Sequence, residues 1–203
     1  MTAQSAEGSI GARIRAIRKA RGIRTTRELA ELMTGSSVTE SIIENIESGR
    51  KVNLEVTQLL NIAMALEVPP SYLLAPMGAP TAAIDLPGLS DTFGTMTALQ
   101  FDAWLSGTAA GAYTSGSAND RYARMELDAL RELMTLDAEI RRLKVLIRVS
   151  EEASDKVGVF DFVTSYEHRI DYAAAERSEL HAFLTSSGWD LPEMESPTLS
   201  ELD

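Results

Sequence analysis

The sequence predicts an all-α protein in two parts, and three observations lead there. Apolar residues recur three and four positions apart in most of the chain, as in Ile10, Ile14 and Ile17 or Leu133, Leu136 and Ile140, the period of one face of a helix. Thr and Ser stand where such runs open and Gly where they close, as at Thr25, Thr39, Gly22 and Gly49. The residues after Gly111 keep the helical period and show no strand alternation. The expected organisation is a five-helix domain over residues 1–76, a linker over 77–118 with a short helix near 95–106, a helical hairpin with a coiled-coil seam over 119–188, and an acidic tail over 189–203.

The first eight residues are expected to be flexible, and they carry no basic residue to act as a gripping arm. Ser9 is placed to cap a helix that runs to Arg21 and ends at Gly22. Its outer face is expected to hold Arg13, Arg15, Arg18, Lys19 and Arg21. A solvated face and phosphate contact near Lys19 and Arg24 both fit that pattern.

Thr25-Thr26-Arg27-Glu28 is a T-x-x-E capping box, in which hydroxyl and carboxylate satisfy free backbone N–H groups. Leu29, Ala30, Leu32 and Met33 follow as an apolar face, and Thr34-Gly35-Ser36-Ser37 is turn chemistry. Thr39 then caps a helix from Glu40 to about Ser48, with Ile43 and Ile46 inward and Gly49 at its end. A fourth helix is expected over Leu54–Leu66, with Leu59, Leu60, Ile62, Ala63 and Leu66 as core and Gln58 and Asn61 on the surface. After Pro69-Pro70, Ser71 would cap a short fifth helix.

Pro76, Pro80 and Pro87 punctuate the next stretch. Its helical island is expected to bury Met96, Leu99, Trp104 and Leu105, leaving Phe101 off the stripe, and to dock on one of the two domains. Ser117 or Asn119 caps a long helix to about Ser154. Leu133, Leu136, Ile140, Leu143 and Ile147 are spaced 3, 4, 3, 4 along it, a coiled-coil seam. Leu127, Leu130 and Met134 add a second stripe, and Val145, Leu146 and Val149 widen the far end, which is more apolar surface than one partner helix covers. Gly158 breaks the pattern, a second helix runs to about Ser187, and Gly188 ends it.

Composition narrows the function classes. There is no Cys, so disulfides, thiolate metal sites and Cys nucleophiles are excluded. Neither a signal core nor a membrane-length apolar run is present, so a cytoplasmic protein without membrane contact is expected. Net charge is −11, but residues 1–76 carry nine Lys/Arg against eight Asp/Glu, whereas residues 77–203 carry ten against twenty-two. The acidity belongs to the C-terminal part, and local charge governs a groove contact. His168 and His181 do not share a helix face, and Arg141, Arg142, Lys144 and Arg148 are expected to pair with Glu139 and neighbouring acids. No phosphate-binding Gly loop, nucleophile elbow or metal spacing occurs, so no enzyme, cofactor or metal is expected.

The segment Thr25 to Lys51 resembles the helix-turn-helix of the Cro/lambda-repressor (XRE-type) family, and the resemblance extends over about residues 9–75. Its strongest part is V-T-E-S-I-I-E-N-I-E-S-G-R, Val38 to Arg50. One departure is the turn between Met33 and Val38, which holds four residues where the family usually has one and so bears on the angle between the helices. The resemblance implies that Thr39, Glu40, Ser41, Glu44 and Asn45 face bases in the major groove. It places Thr26, Arg27, Arg50 and Lys51 over phosphates, which helix N-termini also attract. Asn45 suits the N6/N7 edge of adenine, and Glu40 the N4 amine of cytosine. Glu40 and Glu44 are acids on a face meant for an anion, and they favour the competing picture of a plain helical bundle.

The implied function is sequence-specific DNA binding by a transcriptional regulator, a dimeric repressor of phage or prophage-immunity type. Its implied partners are a palindromic double-stranded operator, a second copy of the chain, and an antirepressor or other protein. The alternative is a helical adaptor or antitoxin-like protein with weak DNA binding. Ala110-Gly111 is similar to the self-cleavage dipeptide of some repressors, but the all-β domain with Ser and Lys that self-cleavage needs is not legible downstream. The N-terminal domain shows no large spare apolar face, so the dimer contact is expected on the long helix through Leu133, Leu136, Ile140, Leu143 and Ile147. The alternative there is a hairpin partner that covers this seam in a monomer.

Overall fold

Four hydroxyl caps set the starts of the shorter helices. Ser9 Oγ accepts from the Ala12 amide at 3.1 Å, Thr25 Oγ1 from Glu28 at 3.1 Å, Thr39 Oγ1 from Ile42 at 3.4 Å and Thr97 Oγ1 from Gln100 at 3.2 Å. The computed structural model describes residues 9–108, 111–152 and 159–192. Among these the protein is all-α, with eight helices: α1 Ile10–Ala20, α2 Thr26–Glu31, α3 Glu40–Glu47, α4 Val56–Ala65, α5 Ser71–Leu74, α6 Ala98–Ser106, α7 Ala118–Glu152 and α8 Val159–Ser186. The first eight residues, the break at Gly158, Ala110 of the Ala-Gly dipeptide and the tail beyond residue 192 lie outside the described residues. None of the described helices is long and apolar enough to cross a membrane. The chain divides into two compact units, Met1–Thr114 and Ser115–Asp203.

In the first unit Ile14, Leu29, Val38, Ile43, Ile46, Ile62, Leu66 and Leu73 form one core that joins α1 to α5. Two contacts lock α1 onto α3. A Cβ built on Gly11 would sit 2.0 Å from the Ile46 carbonyl oxygen, so the two backbones meet where only glycine fits. Arg18, expected on the outer face, is buried instead and grips Glu47 with both forks, Nε to Oε1 and Nη2 to Oε2, each at 2.7 Å. Its remaining nitrogen donates to the carbonyls of Ile23 and Arg24. Glu47 raises the Arg18 pKa further above the ordinary guanidinium value, mainly through that hydrogen bond. Arg13 is a second correction: it turns inward, donates to the Leu73 and Leu74 carbonyls that end α5, and pairs with Asp85 at 2.9 Å.

Several expectations for α4 change. The helix starts at Val56, not Leu54, because Glu55 occupies the cap and its amide bonds Gln58 Oε1 at 3.3 Å. That bond turns Gln58 inward and buries it, whereas Asn61 stays on the surface as expected. Leu60, expected in the core, is 49% exposed, and it lines up with Val56 at 71% and Met64 at 81%. The first unit therefore does carry a spare apolar face. Pro70 takes the cap of α5, and Ser71 is its first, buried residue.

The boundary expected at residue 76 does not match a break in packing. Leu74, Ala75 and Met77 share a small core with Ile84, Leu86, Phe93, Ala98, Phe101 and Trp104. Phe93 stands edge-on to Trp104 at 5.0 Å, and the amide of Ala98 bonds Ala82. Phe101, expected off the stripe, is buried, and Leu99 and Leu105 are exposed. The reversal follows from the docking site: α5 and the turn Asp91–Phe93 meet the Ala98–Phe101 side of α6.

In the second unit Ser117, rather than Asn119, caps α7 through the Asp120 amide at 3.5 Å. α7 and α8 form the expected hairpin. Leu136, Ile140, Leu143 and Ile147 pack with Ile170 and Ala173 of α8, and Leu133 is buried as well. Four of the five residues expected at the dimer contact thus pack against α8 within one chain, the alternative in which the hairpin partner covers the stripe. At the open end Tyr122 stacks edge-on with Phe183 and bonds Ser187 at 3.0 Å. Arg177 pairs with Asp137 at 3.1 Å, and Glu139 engages Arg169 of α8 rather than the expected cations of its own helix. Of the second stripe, Leu127 and Leu130 are half-buried and Met134 is 50% exposed. Of the residues expected to widen the far end, Leu146 packs on the hairpin core, while Val145 at 57% and Val149 at 55% are exposed.

Candidate nucleic-acid interface

α3 is presented by the elements beneath it. Ile43 and Ile46 are buried in the core, Gly11 and Arg18 hold its C-terminal end, and Thr39 caps its start. The residues left pointing away are Thr39, Glu40, Ser41 and Glu44, all exposed, with Asn45 half-buried beside them. Gly49 adopts φ 76° and folds the chain back, so that the Lys51 amide reaches the Asn45 carbonyl at 2.8 Å. This turn leaves Arg50 exposed at the end of the helix, its Nε 3.1 Å from the Ser48 hydroxyl. Lys51 is half-buried, with Nζ 4.0 Å from Glu55.

α2 contributes less than its sequence promises. Thr26 is half-buried, and Arg27 is exposed but bonds Glu31 at 3.0 Å. Glu31 raises the Arg27 pKa, first by that hydrogen bond and then by its charge, and Glu40 adds to the effect. The Glu28 carboxylate accepts from the Arg24 amide at 2.7 Å, one residue earlier than a capping box would have it. The connection between α2 and α3 spans Leu32 to Thr39, and Val38 anchors it in the core.

Charge on this surface is mixed. Glu40 and Glu44 are exposed on α3 and Glu31 on α2, Arg27 lies near Glu31 and Glu40, and Arg50 and Lys51 follow the end of α3. Arg15, Lys19 and Arg24 are exposed and make no ion pair among the described residues. Arg15 and Lys19 line a cleft with Ser48 and Gly49, which brings the cations of α1 beside the end of α3. Arg13 and Glu47 line the same cleft, but the guanidinium of Arg13 is engaged by Asp85 and that of Arg18 by Glu47. No family model, curated protein or solved structure matches this chain.

Elsewhere the described residues hold no cluster of His, Asp and Glu arranged for a metal ion. His168 lies in a shallow groove of the hairpin with Glu139, Tyr172 and Glu176, and His181 meets the Pro192 carbonyl at 3.3 Å, so the two remain apart. The missed features are Gly11, Arg18 with Glu47, and Arg13 with Asp85. A glycine inside a helix costs stability, so Gly11 at the second position of α1 was the available signal for close approach. The two ion pairs span 29 and 72 residues and leave no local signature.

Proposed function

We propose that the first unit binds double-stranded DNA sequence-specifically through α3 and that the protein is a transcriptional regulator, a repressor acting as a dimer on a palindromic operator in the cytoplasm. The observation that carries this reading is the presentation of α3: capped, locked from below at Gly11 and Arg18, and free along Glu40, Ser41 and Glu44. A rigid helix with an open N-terminal turn is the shape that enters a major groove. Arg15, Lys19, Arg24, Arg50 and Lys51 are the cations available for phosphates. A second reading, a protein-binding adaptor or antitoxin-like protein, draws on the acids Glu31, Glu40 and Glu44 beside the same helix and on the apolar face of α4.

The test is fluorescence anisotropy of the full chain with a random duplex pool over a salt series, followed by selection of bound sequences. Under the first reading Arg50→Ala weakens binding to all sequences alike and lowers the salt slope by about one. Asn45→Ala instead relaxes preference at one base pair, costing roughly 1–3 kcal/mol at the selected site. Salt-dependent binding with no selected sequence, or variants that bind like the parent, favours the adaptor.

A further inference from the structure

Within the first unit the outward face of α4 has no partner among the described residues. Val56, Leu60 and Met64 follow one another at intervals of four residues and so form a single ridge. Together they expose a few hundred Å² of apolar surface, the size at which a patch on a monomer is often functional. The helix carries no charged residue from Val56 to Ala65, in a chain that is 24% charged. Its exposed polar neighbours, Thr57 and Asn61, bond each other along the helix, Asn61 Nδ2 to the Thr57 carbonyl at 2.8 Å.

We propose that this ridge pairs with the same ridge of a second copy of the chain, around a two-fold axis at Leu60. The ridge is centred on Leu60, so an antiparallel pair sets Leu60 against Leu60 and Val56 against the partner's Met64. Ridges spaced by four residues cross at about −50°, which concentrates contact at the centre of a ten-residue helix. A two-fold interface must be self-complementary, and a ridge with no charge between Val56 and Ala65 meets that condition at its centre, with the acids Glu55 and Glu67 left at its rim. The stripe of Met134, Val145 and Val149 on α7 does not, because Arg141 and Arg142 lie within it, exposed, and a two-fold axis would oppose like charges. The area is roughly half of what each partner of a standard interface gives, so the pair is weak in solution and gains when two half-sites hold the copies together. The use assigned to the pair rests on the DNA reading, whereas its existence does not.

The chain has no cysteine, so single cysteines report the contact directly in the full-length protein. Leu60→Cys should form a disulfide-linked dimer on mild oxidation without DNA, roughly tenfold or more faster than Tyr172→Cys, whose site is exposed on α8. Val56→Cys and Met64→Cys should each link poorly alone and well when mixed. Three results overturn the pairing: equal rates for Leu60→Cys and Tyr172→Cys, fast linkage from Met134→Cys or Val145→Cys with none from Leu60→Cys, or a thiol in the Leu60→Cys variant that is shielded from reagents in a monomer. DNA binding is scored separately. Leu60→Glu should keep affinity for a single half-site and lose cooperativity on two. Linkage of the Leu60→Cys variant in a protein that binds no DNA supports the pair and removes only the DNA reading.

Discussion

In the first unit the helices α1 to α6 are between four and eleven residues long, whereas α7 and α8 run to 35 and 28. Helices as short as the first set are marginal alone, and their stability comes from tertiary fit. The fit there depends on single-residue devices: the backbone contact at Gly11, the fork of Arg18 on Glu47, and Arg13 bridging α5 to Asp85. The hairpin instead repeats one kind of contact along its length, Leu136, Ile140, Leu143 and Ile147 against α8. A structure built of unlike, specific contacts has few interchangeable parts. A structure built of repeats spreads a lesion over its neighbours.

The largest expected break is Arg18→Ala. It leaves Glu47 buried without its partner, which costs about 3–5 kcal/mol. Denaturant unfolding followed at both units should show the first melting early and the hairpin unchanged. Replacing both members by methionine should recover most of the loss, and a double variant no better than Arg18→Ala would argue that the pair is not one unit. Gly11→Ala comes next, at roughly 1–3 kcal/mol, since its new methyl meets the Ile46 carbonyl and α1 must shift. On the proposed DNA reading, affinity should fall with it even where the unit stays folded, because α3 loses its support. The smallest effect is expected in the hairpin: Ile140→Val removes one methylene from a repeated seam and should cost about 0.5–1.5 kcal/mol. If it costs as much as Arg18→Ala, the contrast between the two units is wrong.

What could be read from the residues alone was local. The caps at Ser9, Thr25 and Thr39 and the left-handed glycines at 22, 49 and 188 depend on a few neighbouring atoms, so chain chemistry located them. The all-α class and the hairpin followed from periodicity, which a helix imposes every 3.6 residues. Periodicity also marked the outward positions of α3, since Ile43 and Ile46 can face the core only if Glu40 and Glu44 do not.

Only the tertiary structure decided which of several apolar stripes each helix buries. On α4 it chose Ile62 and Ala63 over Leu60; on α6 it chose Ala98 and Phe101 over Leu99; on α7 it set Leu136, Ile140, Leu143 and Ile147 against α8. Hydrophobic burial is non-directional, so a sequence states that a face is apolar without stating what will cover it. Long-range polar pairs are decided the same way. Arg13 and Arg18 look like any other cation on α1, and folding alone brings Asp85 and Glu47 within reach of them.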